Sequence, residues 1–233
     1  MTIKRISTCA GALALLLGAS LSHIPSAQAA VAAVTRDVPY VDDDDVKHLA
    51  DVYVPAGEGP FPAVLMIHGG AWTSGSKGHM LAHARAASSA GYTVVAINYR
   101  LAPRDIFPAQ IDDCRAAVRW MRSNADKYKI DPERIAAYGY SAGGHLACLL
   151  GTSDASDKDA ISCRVQCVVA GGAPCEFRRL PDDSPVFSFF LGGTPSEKPD
   201  AYRDASPTAF ASADDPPVFF FHGGEDRVVP QSS

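Results

Sequence analysis

The 233-residue sequence lacks several features that mark specialised classes of protein. It has no run of about 18 or more apolar residues, the length that a membrane-spanning helix needs. It has no basic cluster and its net charge is −5, which argues against a dedicated nucleic-acid-binding protein. It has neither internal repeats nor a linker-like segment, so we expect one domain. With 47% hydrophobic and 20% charged residues, the composition is that of an ordinary globular protein.

The N-terminus has the pattern of an export signal. The basic pair Lys4-Arg5 precedes a short apolar stretch, residues 10–21, and Ala27-Gln28-Ala29 supplies the small-x-small pattern of a cleavage site. We therefore predict that residues 1–29 are a signal peptide. The mature domain, residues 30–233, is then expected to be secreted or periplasmic.

Five cysteines would survive this cleavage. Cys114 and Cys148 lie in helical patterns, and we expect them to be buried. Cys163, Cys167 and Cys175 permit a disulfide whose pairing the sequence leaves open. Cys163 and Cys167 have the spacing of a zinc pair, but no second Cys/His pair follows at a suitable interval. We expect no metal site and no cofactor.

Strand-like and helix-like segments alternate at intervals of roughly 30 residues, which predicts right-handed βαβ units. The predicted strands cover residues 31–40, 48–54, 61–70, 92–99, 134–140, 165–172 and 218–221, and the predicted helices cover 80–90, 108–127 and 141–151. Asp131-Pro132 is expected in a turn. The pattern breaks over residues 173–216, which are rich in Pro, Ser and Asp. The fold class is therefore α/β, with a mostly parallel twisted sheet and helices on both faces.

Two acidic groups have both a functional and an ordinary interpretation. The four aspartates at 42–45 resemble a calcium-binding sequence, but we favour a solvated hairpin turn. Asp112 and Asp113 are adjacent on a predicted helix. We expect them to be surface or helix-capping acids and not a second catalytic pair.

A G-x-S-x-G motif, Gly139-Tyr140-Ser141-Ala142-Gly143, stands between a buried strand and a helix of small residues. A serine projecting from such a tight turn needs neighbours without side chains, which explains the two glycines. The helix that follows directs its positive N-terminal end at a developing oxyanion, and the Ala142 N–H is placed to donate to that oxyanion. This context predicts that Ser141 is a nucleophile.

A second small-residue loop, His68-Gly69-Gly70-Ala71-Trp72, follows an earlier buried strand. Backbone without side chains can approach a substrate closely, and its N–H groups can complete an oxyanion hole. A plain tight turn is the ordinary alternative, but the serine motif about 70 residues later favours the functional interpretation. We expect His68 to orient the loop through a hydrogen bond and not to act as a general base.

Further motifs accompany these two. They are NYRLAP (98–103), FPA (107–109), GYSAGGH (139–145), YRDASP (202–207) and HGGED (222–226), the last followed by Val229-Pro230. From about residue 38 to its end the sequence resembles the α/β-hydrolases. It is most similar to the esterase branch that contains hormone-sensitive-lipase-like carboxylesterases and bacterial feruloyl and acetyl-xylan esterases.

The resemblance implies a role for individual residues. Ser141 matches the nucleophile and Asp226 matches the triad acid. Gly70, Ala71 and Ala142 match the oxyanion donors, and alanine at 71 favours the xylan-esterase-like relatives, because the lipase-like ones usually have glycine there. The stretch 99–103 and His145 are interpreted as packing residues close to the site.

The catalytic histidine of such a triad is not found in its expected place. The chain order of this fold is Ser, Asp, His, and none of the seven histidines follows Asp226. The resemblance implies a further helix, strand and closing helix, with the histidine in a loop. We therefore expect this sequence to be truncated at its C-terminus, and residues 30–233 alone to be poorly stable and inactive as an esterase.

The sequence thus predicts a serine carboxylic-ester hydrolase that forms an acyl-enzyme on small acyl or aryl esters, including plant-polysaccharide esters. We expect residues 175–207 to form a pocket wall, with Phe187, Phe189 and Phe190 either contacting substrate or packing as core. Two alternatives stay open. The first is an arylformamidase or serine peptidase on the same scaffold, and the second is a catalytically inactive binding module.

Overall fold

The structure is a computed structural model that describes residues 31–153, 160–226 and 228–229. The predicted signal peptide, residues 1–29, lies outside these described residues. Within the described ranges, every helix is too short or too polar to cross a membrane.

One mixed sheet organises the described chain. Its strands are β1 (Val31–Pro39), β2 (Leu49–Pro55), β3 (Phe61–Ile67), β4 (Thr93–Ile97), β5 (Ile130–Tyr140), β6 (Cys167–Gly171) and β7 (Val218–Phe221). They are arranged in the order β1-β2-β4-β3-β5-β6-β7. β2 pairs antiparallel with β1 and β4, whereas all other neighbours are parallel. The predicted α/β class with a mostly parallel sheet is confirmed.

Helices follow most of the strands. They are α1 (Leu81–Ser89), α2 (Ala109–Ser123), α3 (Ala125–Tyr128), α4 (Ala142–Thr152), α5 (Pro185–Leu191) and α6 (Pro199–Asp204), with 3₁₀ turns at Val46–His48, Lys77–Met80 and Pro207–Ala209. The sequence pattern did not predict α5 and α6, because both are short and lie in a proline-rich stretch. Each has its proline in the first turn, where a missing N–H breaks no helical hydrogen bond.

Apolar side chains pack on both faces of the sheet. On one face, Ile111 and Val118 of α2 and Leu146 of α4 join a large buried cluster. On the other face, Met80 of the 3₁₀ turn before α1 and Ala84 of α1 pack in a smaller cluster. All five residues of β4 are buried, as its continuous apolar run predicts for a strand covered on both sides. These clusters hold the carboxyl ends of the parallel strands in fixed relative positions.

Two of the cysteine expectations can be compared with the structure. Cys114 and Cys148 are buried in α2 and α4, as predicted. Cys175 is a buried thiol whose Sγ lies 3.5 Å from the Ala173 carbonyl oxygen. The structure contains no disulfide from Cys175 to Cys163 or Cys167, and all three lie in the described chain.

Asp131-Pro132 does not form the predicted turn. Both residues lie inside β5, which begins at Ile130. The pairing of β5 with β3 shifts register between the Phe61–Ile130 and Ala63–Ile135 pairs. The proline is tolerated because the extra residues form an irregularity in the ladder, where no regular backbone donor is required.

Asp113 is buried, which makes the predicted surface or capping position wrong for this residue. Its side chain is 2% exposed, and its carboxylate accepts hydrogen bonds from the Arg100 Nε at 2.9 Å and from the Arg100 backbone N–H at 2.8 Å. The His48 Nε2 lies 3.2 Å from the same carboxylate. Asp112, by contrast, is 52% exposed and pairs with Arg115 one turn along α2. Helical spacing alone did not reveal that Asp113 faces the loop after β4.

Replacing Asp113 with alanine tests this buried contact. Removing one partner of a buried ion pair leaves the other unpaired, so Asp113→Ala should lower the free energy of unfolding by about 3 kcal/mol. Asp112→Ala is the matched control, and should change it by less than about 0.5 kcal/mol. Chemical denaturation monitored by circular dichroism measures both. Equal effects of the two substitutions would contradict the assigned role of Asp113.

Candidate active site

Ser141 occupies a strained turn between β5 and α4. Its backbone has φ 55° and ψ −122°, a conformation that is unfavourable for a residue with a side chain. Its N–H donates to the Gly171 carbonyl at 2.8 Å, and its carbonyl accepts from the His145 N–H at 2.9 Å. These bonds attach the turn to β6 and to the first turn of α4. The side chain is partly exposed at the N-terminus of that helix.

The two glycines of the motif are required by close backbone contacts. A β-carbon on Gly143 would overlap the carbonyl oxygen of Ile67 at the end of β3, and one on Gly139 would overlap the Gly143 carbonyl. Gly69 is also close, since a β-carbon there would lie 3.4 Å from the Ser141 Cβ. The turn at Ser141 and the loop after β3 are therefore in direct contact.

The loop after β3 has three consecutive residues in left-handed backbone conformation. The φ angles are 123° at Gly70, 51° at Ala71 and 60° at Trp72. The Gly70 carbonyl accepts from the N–H groups of Thr73 and Ser74, each at 3.0 Å. Among the described residues, no backbone bond outside the regular elements uses the Gly70 or Ala71 N–H. The Ala142 N–H belongs to the first turn of α4, where helices leave such donors without an internal partner.

Asp226 lies in the loop after β7. Its Oδ1 accepts from the backbone N–H groups of Val228 and Val229, both at 2.9 Å. These two bonds, together with the nearby His222, hold the pKa of the carboxyl below its usual range, so the group is ionised at neutral pH. A β-carbon on Gly172 would lie 3.4 Å from the Asp226 Oδ2 and 3.3 Å from the Tyr140 hydroxyl. Asp226 thus lies next to the residue that precedes Ser141.

Three histidines near the site, His68, His145 and His222, make hydrogen bonds to groups other than Ser141. The His68 Nδ1 donates to the Gly69 carbonyl at 2.7 Å, and its ring stacks on Tyr99 at 4.2 Å. Burial lowers the pKa of His68 to about 4, against the opposing effect of the Gly69 hydrogen bond. The His222 Nε2 donates to the Val229 carbonyl at 2.5 Å and lies 3.7 Å from the Asp226 Oδ2. Within the described chain, no histidine is hydrogen-bonded to the Ser141 hydroxyl.

The aromatic residues of the predicted pocket wall have three different environments. Phe190 is fully buried and stacks on Trp72 at 4.3 Å. Phe187 is half-buried, with its ring 5.7 Å from the Trp72 ring, whereas Phe189 is 55% exposed. Phe190 is thus core, and the segment after β6 packs directly on the loop after β3.

A hydrogen bond from Trp72 to His145 was not predicted from the sequence. The Trp72 Nε1 donates to the His145 Nδ1 at 3.1 Å, although 73 positions separate the two residues. Each residue belongs to one of the sequence motifs, but no pattern in the sequence indicates which buried donor is hydrogen-bonded to which acceptor. The contact joins the loop after β3 to α4, the helix that begins directly after Ser141.

The carboxyl ends of the parallel strands bring the predicted site together. Ser141 follows β5, the loop of Gly70 and Ala71 follows β3, and Asp226 follows β7. β6 lies between β5 and β7, so Ser141 and Asp226 are two strands apart on the same edge. A partly exposed hydroxyl, N–H groups without a backbone partner among the described residues and an ionised carboxylate are components of an acyl-transfer site, which needs a general base in addition. The fold and this arrangement are those of an α/β-hydrolase.

Comparison with known proteins places the chain more narrowly. The BD-FAE family model matches residues 50–233, and the chain belongs to that family. The "Probable carboxylic ester hydrolase LipM" of Mycobacterium tuberculosis is 36% identical over 74% of this chain and 43% of its own length. Esterase LipC of the same species is 32% identical over 80% of this chain and 50% of its own length. The chain therefore spans about half the length of these curated relatives.

Solved structures of esterases have a similar fold. A truncated form of a carbohydrate esterase from gut microbiota superimposes with a TM-score of 0.75 at 30% identity, covering 88% of this chain and 82% of its own. A bifunctional GH43-CE protein of Bacteroides eggerthii has a TM-score of 0.77 at 31% identity, covering 85% of this chain and 32% of its own. The α/β-hydrolase fold is thus shared with esterases.

The close contact at Gly143 can be tested through stability. Gly143→Ala should lower the free energy of unfolding by about 3 kcal/mol, because its methyl group displaces the end of β3. Gly224→Ala is the control, since a β-carbon there has nothing within 4 Å. Urea unfolding of both variants measures the difference. A Gly143→Ala protein as stable as the control would contradict the close contact between Gly143 of α4 and Ile67 of β3.

Proposed function

We propose that this protein hydrolyses carboxylic esters through a covalent acyl-enzyme, with Ser141 as nucleophile. The observation that carries the proposal is the conformation of Ser141, at φ 55° on a turn between a buried strand and a helix N-terminus. Such strain is retained where the surrounding structure enforces it, and it exposes the hydroxyl above the sheet. Esterase relatives of the chain support the same reaction class.

In the proposed mechanism, the Ser141 hydroxyl attacks the ester carbonyl while a base removes its proton. Negative charge develops on the carbonyl oxygen, which the N–H groups of Gly70, Ala71 and Ala142 stabilise. The same base then protonates the leaving alcohol. Water enters by the reverse path and releases the acid. Asp226 orients the base and stabilises its protonated form.

The proposal assigns the base to a histidine that follows Asp226, in the chain order of this fold. The hydrogen bonds of His68 and His145 support this assignment, because both rings are buried and bonded elsewhere. His222 is the alternative within the sequence, because it lies 3.7 Å from Asp226. A form extended through the histidine-bearing loop should hydrolyse esters, and its His222→Ala variant should remain active. These two results would support the first assignment.

For substrate, we propose small acyl or aryl esters, including those on plant polysaccharides. The support comes from a carbohydrate esterase among the structural neighbours and an arylesterase of Saccharolobus solfataricus among the relatives. Amide substrates would use the same residues. A panel of p-nitrophenyl esters, acetylated xylan, feruloyl esters and N-formyl anilines separates these classes by kcat/KM.

We also propose that residues 1–29 direct export, so that the enzyme acts outside the cytoplasm. The basic start, the short apolar stretch and the Ala27-Gln28-Ala29 pattern support this proposal.

Labelling with a fluorophosphonate tests the nucleophile. In a form of the protein that carries the histidine-bearing loop, Ser141 should react, because a base lowers the barrier to its attack on phosphorus. Ser141→Ala should abolish the label, and Ser123→Ala, which changes an exposed serine of α2, should retain it. Intact-mass spectrometry measures the adduct. A label that persists in Ser141→Ala would remove this serine as nucleophile.

Asp226→Asn tests the acid. An amide oxygen can still accept from the Val228 and Val229 N–H groups, so the loop should keep its conformation. Loss of the carboxylate should nevertheless lower kcat by on the order of 10⁴, since the base loses its preferred tautomer. The exposed Asp214→Asn is the control and should have native turnover. Native kcat in Asp226→Asn would assign the acid to another residue.

A further inference from the structure

His145 is buried between the loop after β3 and the segment after β6. It is fully buried in α4, one turn after Ser141, with its ring stacked on Phe177 at 4.8 Å. Its two ring nitrogens have different partners. The Nδ1 faces the Trp72 indole at 3.1 Å, and the Nε2 faces the Ala205 carbonyl at 2.6 Å.

These partners fix the protonation of His145. An indole N–H only donates, so the Nδ1 must present a lone pair to Trp72. A backbone carbonyl only accepts, so the Nε2 must carry the proton. Burial supports the neutral form, since it lowers the pKa of His145 to about 4 against the opposing hydrogen bond to Ala205. An imidazolium would instead place an N–H directly against the Trp72 N–H.

Trp72 connects this histidine to the backbone of the proposed oxyanion loop. Ala71 and Trp72 both have positive φ, a conformation that is unfavourable for a residue with a side chain. The Trp72 carbonyl accepts from the Ala102 N–H at 2.9 Å, and its ring stacks on Phe190. These contacts hold the tryptophan, but stacking permits the ring to slide. The hydrogen bond to His145 fixes its position along the stacking plane.

We propose that His145 is a positioning residue of the active site: its neutral ring, bonded to Ala205, holds Trp72 and so fixes the Gly70 and Ala71 N–H groups relative to Ser141. The proposal rests on the proposed esterase function. It assigns His145 no proton transfer and no contact with substrate. Its effect is geometric, and an error of about 1 Å in such donors can lower a rate about 100-fold.

Two substitutions remove the hydrogen bond in different ways. Trp72→Phe keeps an aromatic ring against Phe190 but loses the donor, and His145→Leu loses the acceptor. Each should lower kcat between about 10- and 100-fold with little change in KM, because the transition state and not the ground state uses the aligned N–H groups. His145→Gln can accept from Trp72 and donate to Ala205, and should recover most of kcat. Trp120→Phe, which changes the other tryptophan, should have native kcat.

The kinetics are measured in the form of the protein that carries the histidine-bearing loop and reacts with the fluorophosphonate at Ser141. Circular dichroism checks that each variant is folded. Native kcat in a folded Trp72→Phe or His145→Leu protein would overturn the proposal. So would a His145→Gln protein as impaired as His145→Leu. If His145→Leu does not fold, Trp72→Phe and His145→Gln decide the outcome.

A second measurement uses the 233-residue chain itself and does not depend on activity. Long-range ¹H–¹⁵N NMR of the histidine rings at pH 6.5 should show His145 neutral and protonated at Nε2, and the Trp72 indole proton should exchange slowly with solvent. Trp72→Phe should change the Nδ1 resonance of His145, whereas Trp120→Phe should not. A ring protonated at Nδ1 would overturn the inference. Failure of Ser141 to label, with this NMR result intact, would instead contradict the esterase function alone.

Discussion

The contact between the end of β3 and the start of α4 is the constraint on which the site depends. Gly139, Gly143 and Gly69 bring three backbone segments together with no β-carbon between them. This contact forces the chain to reverse at Ser141 with a positive φ, and it places the loop after β3 beside the serine. The sheet supplies the rigidity, because β3 and β5 are adjacent parallel strands with buried side chains on both faces. Strain at one residue is thus maintained by packing of the whole core.

Polar contacts attach the surrounding loops to this centre. Asp113 holds Arg100, and the Tyr99 hydroxyl donates to the His68 carbonyl at 3.0 Å. The segment after β6 is attached through Ala205, whose carbonyl accepts from His145. The loops after β3, β4 and β6 therefore converge at the edge of the sheet where the parallel strands end. Each loop is bonded to a residue within or next to a motif. These bonds fix the motifs in the positions where the sheet brings them together.

The sequence predicted the fold class and most elements because their signals are local. Continuous apolar runs identified β3, β4 and β6, and the two glycines around Ser141 identified the turn between β5 and α4. Three of the failures have a common cause. The burial of Asp113, the irregular start of β5 and the bond between Trp72 and His145 all depend on partners far along the chain. Periodicity indicates which face of an element is buried, but it does not indicate which residue lies opposite.

The buried imidazoles of His68 and His145 have a consequence for the whole molecule. Each has a pKa near 4 in the fold against 6.5 as the ordinary value. Between these pH values the unfolded chain takes up protons that the folded chain excludes, so stability falls as the pH drops below 6.5. Each group contributes at most about 1.4 kcal/mol per pH unit to this fall. Two rings that fix the geometry of neighbouring loops thereby also limit how acidic an environment the protein can occupy.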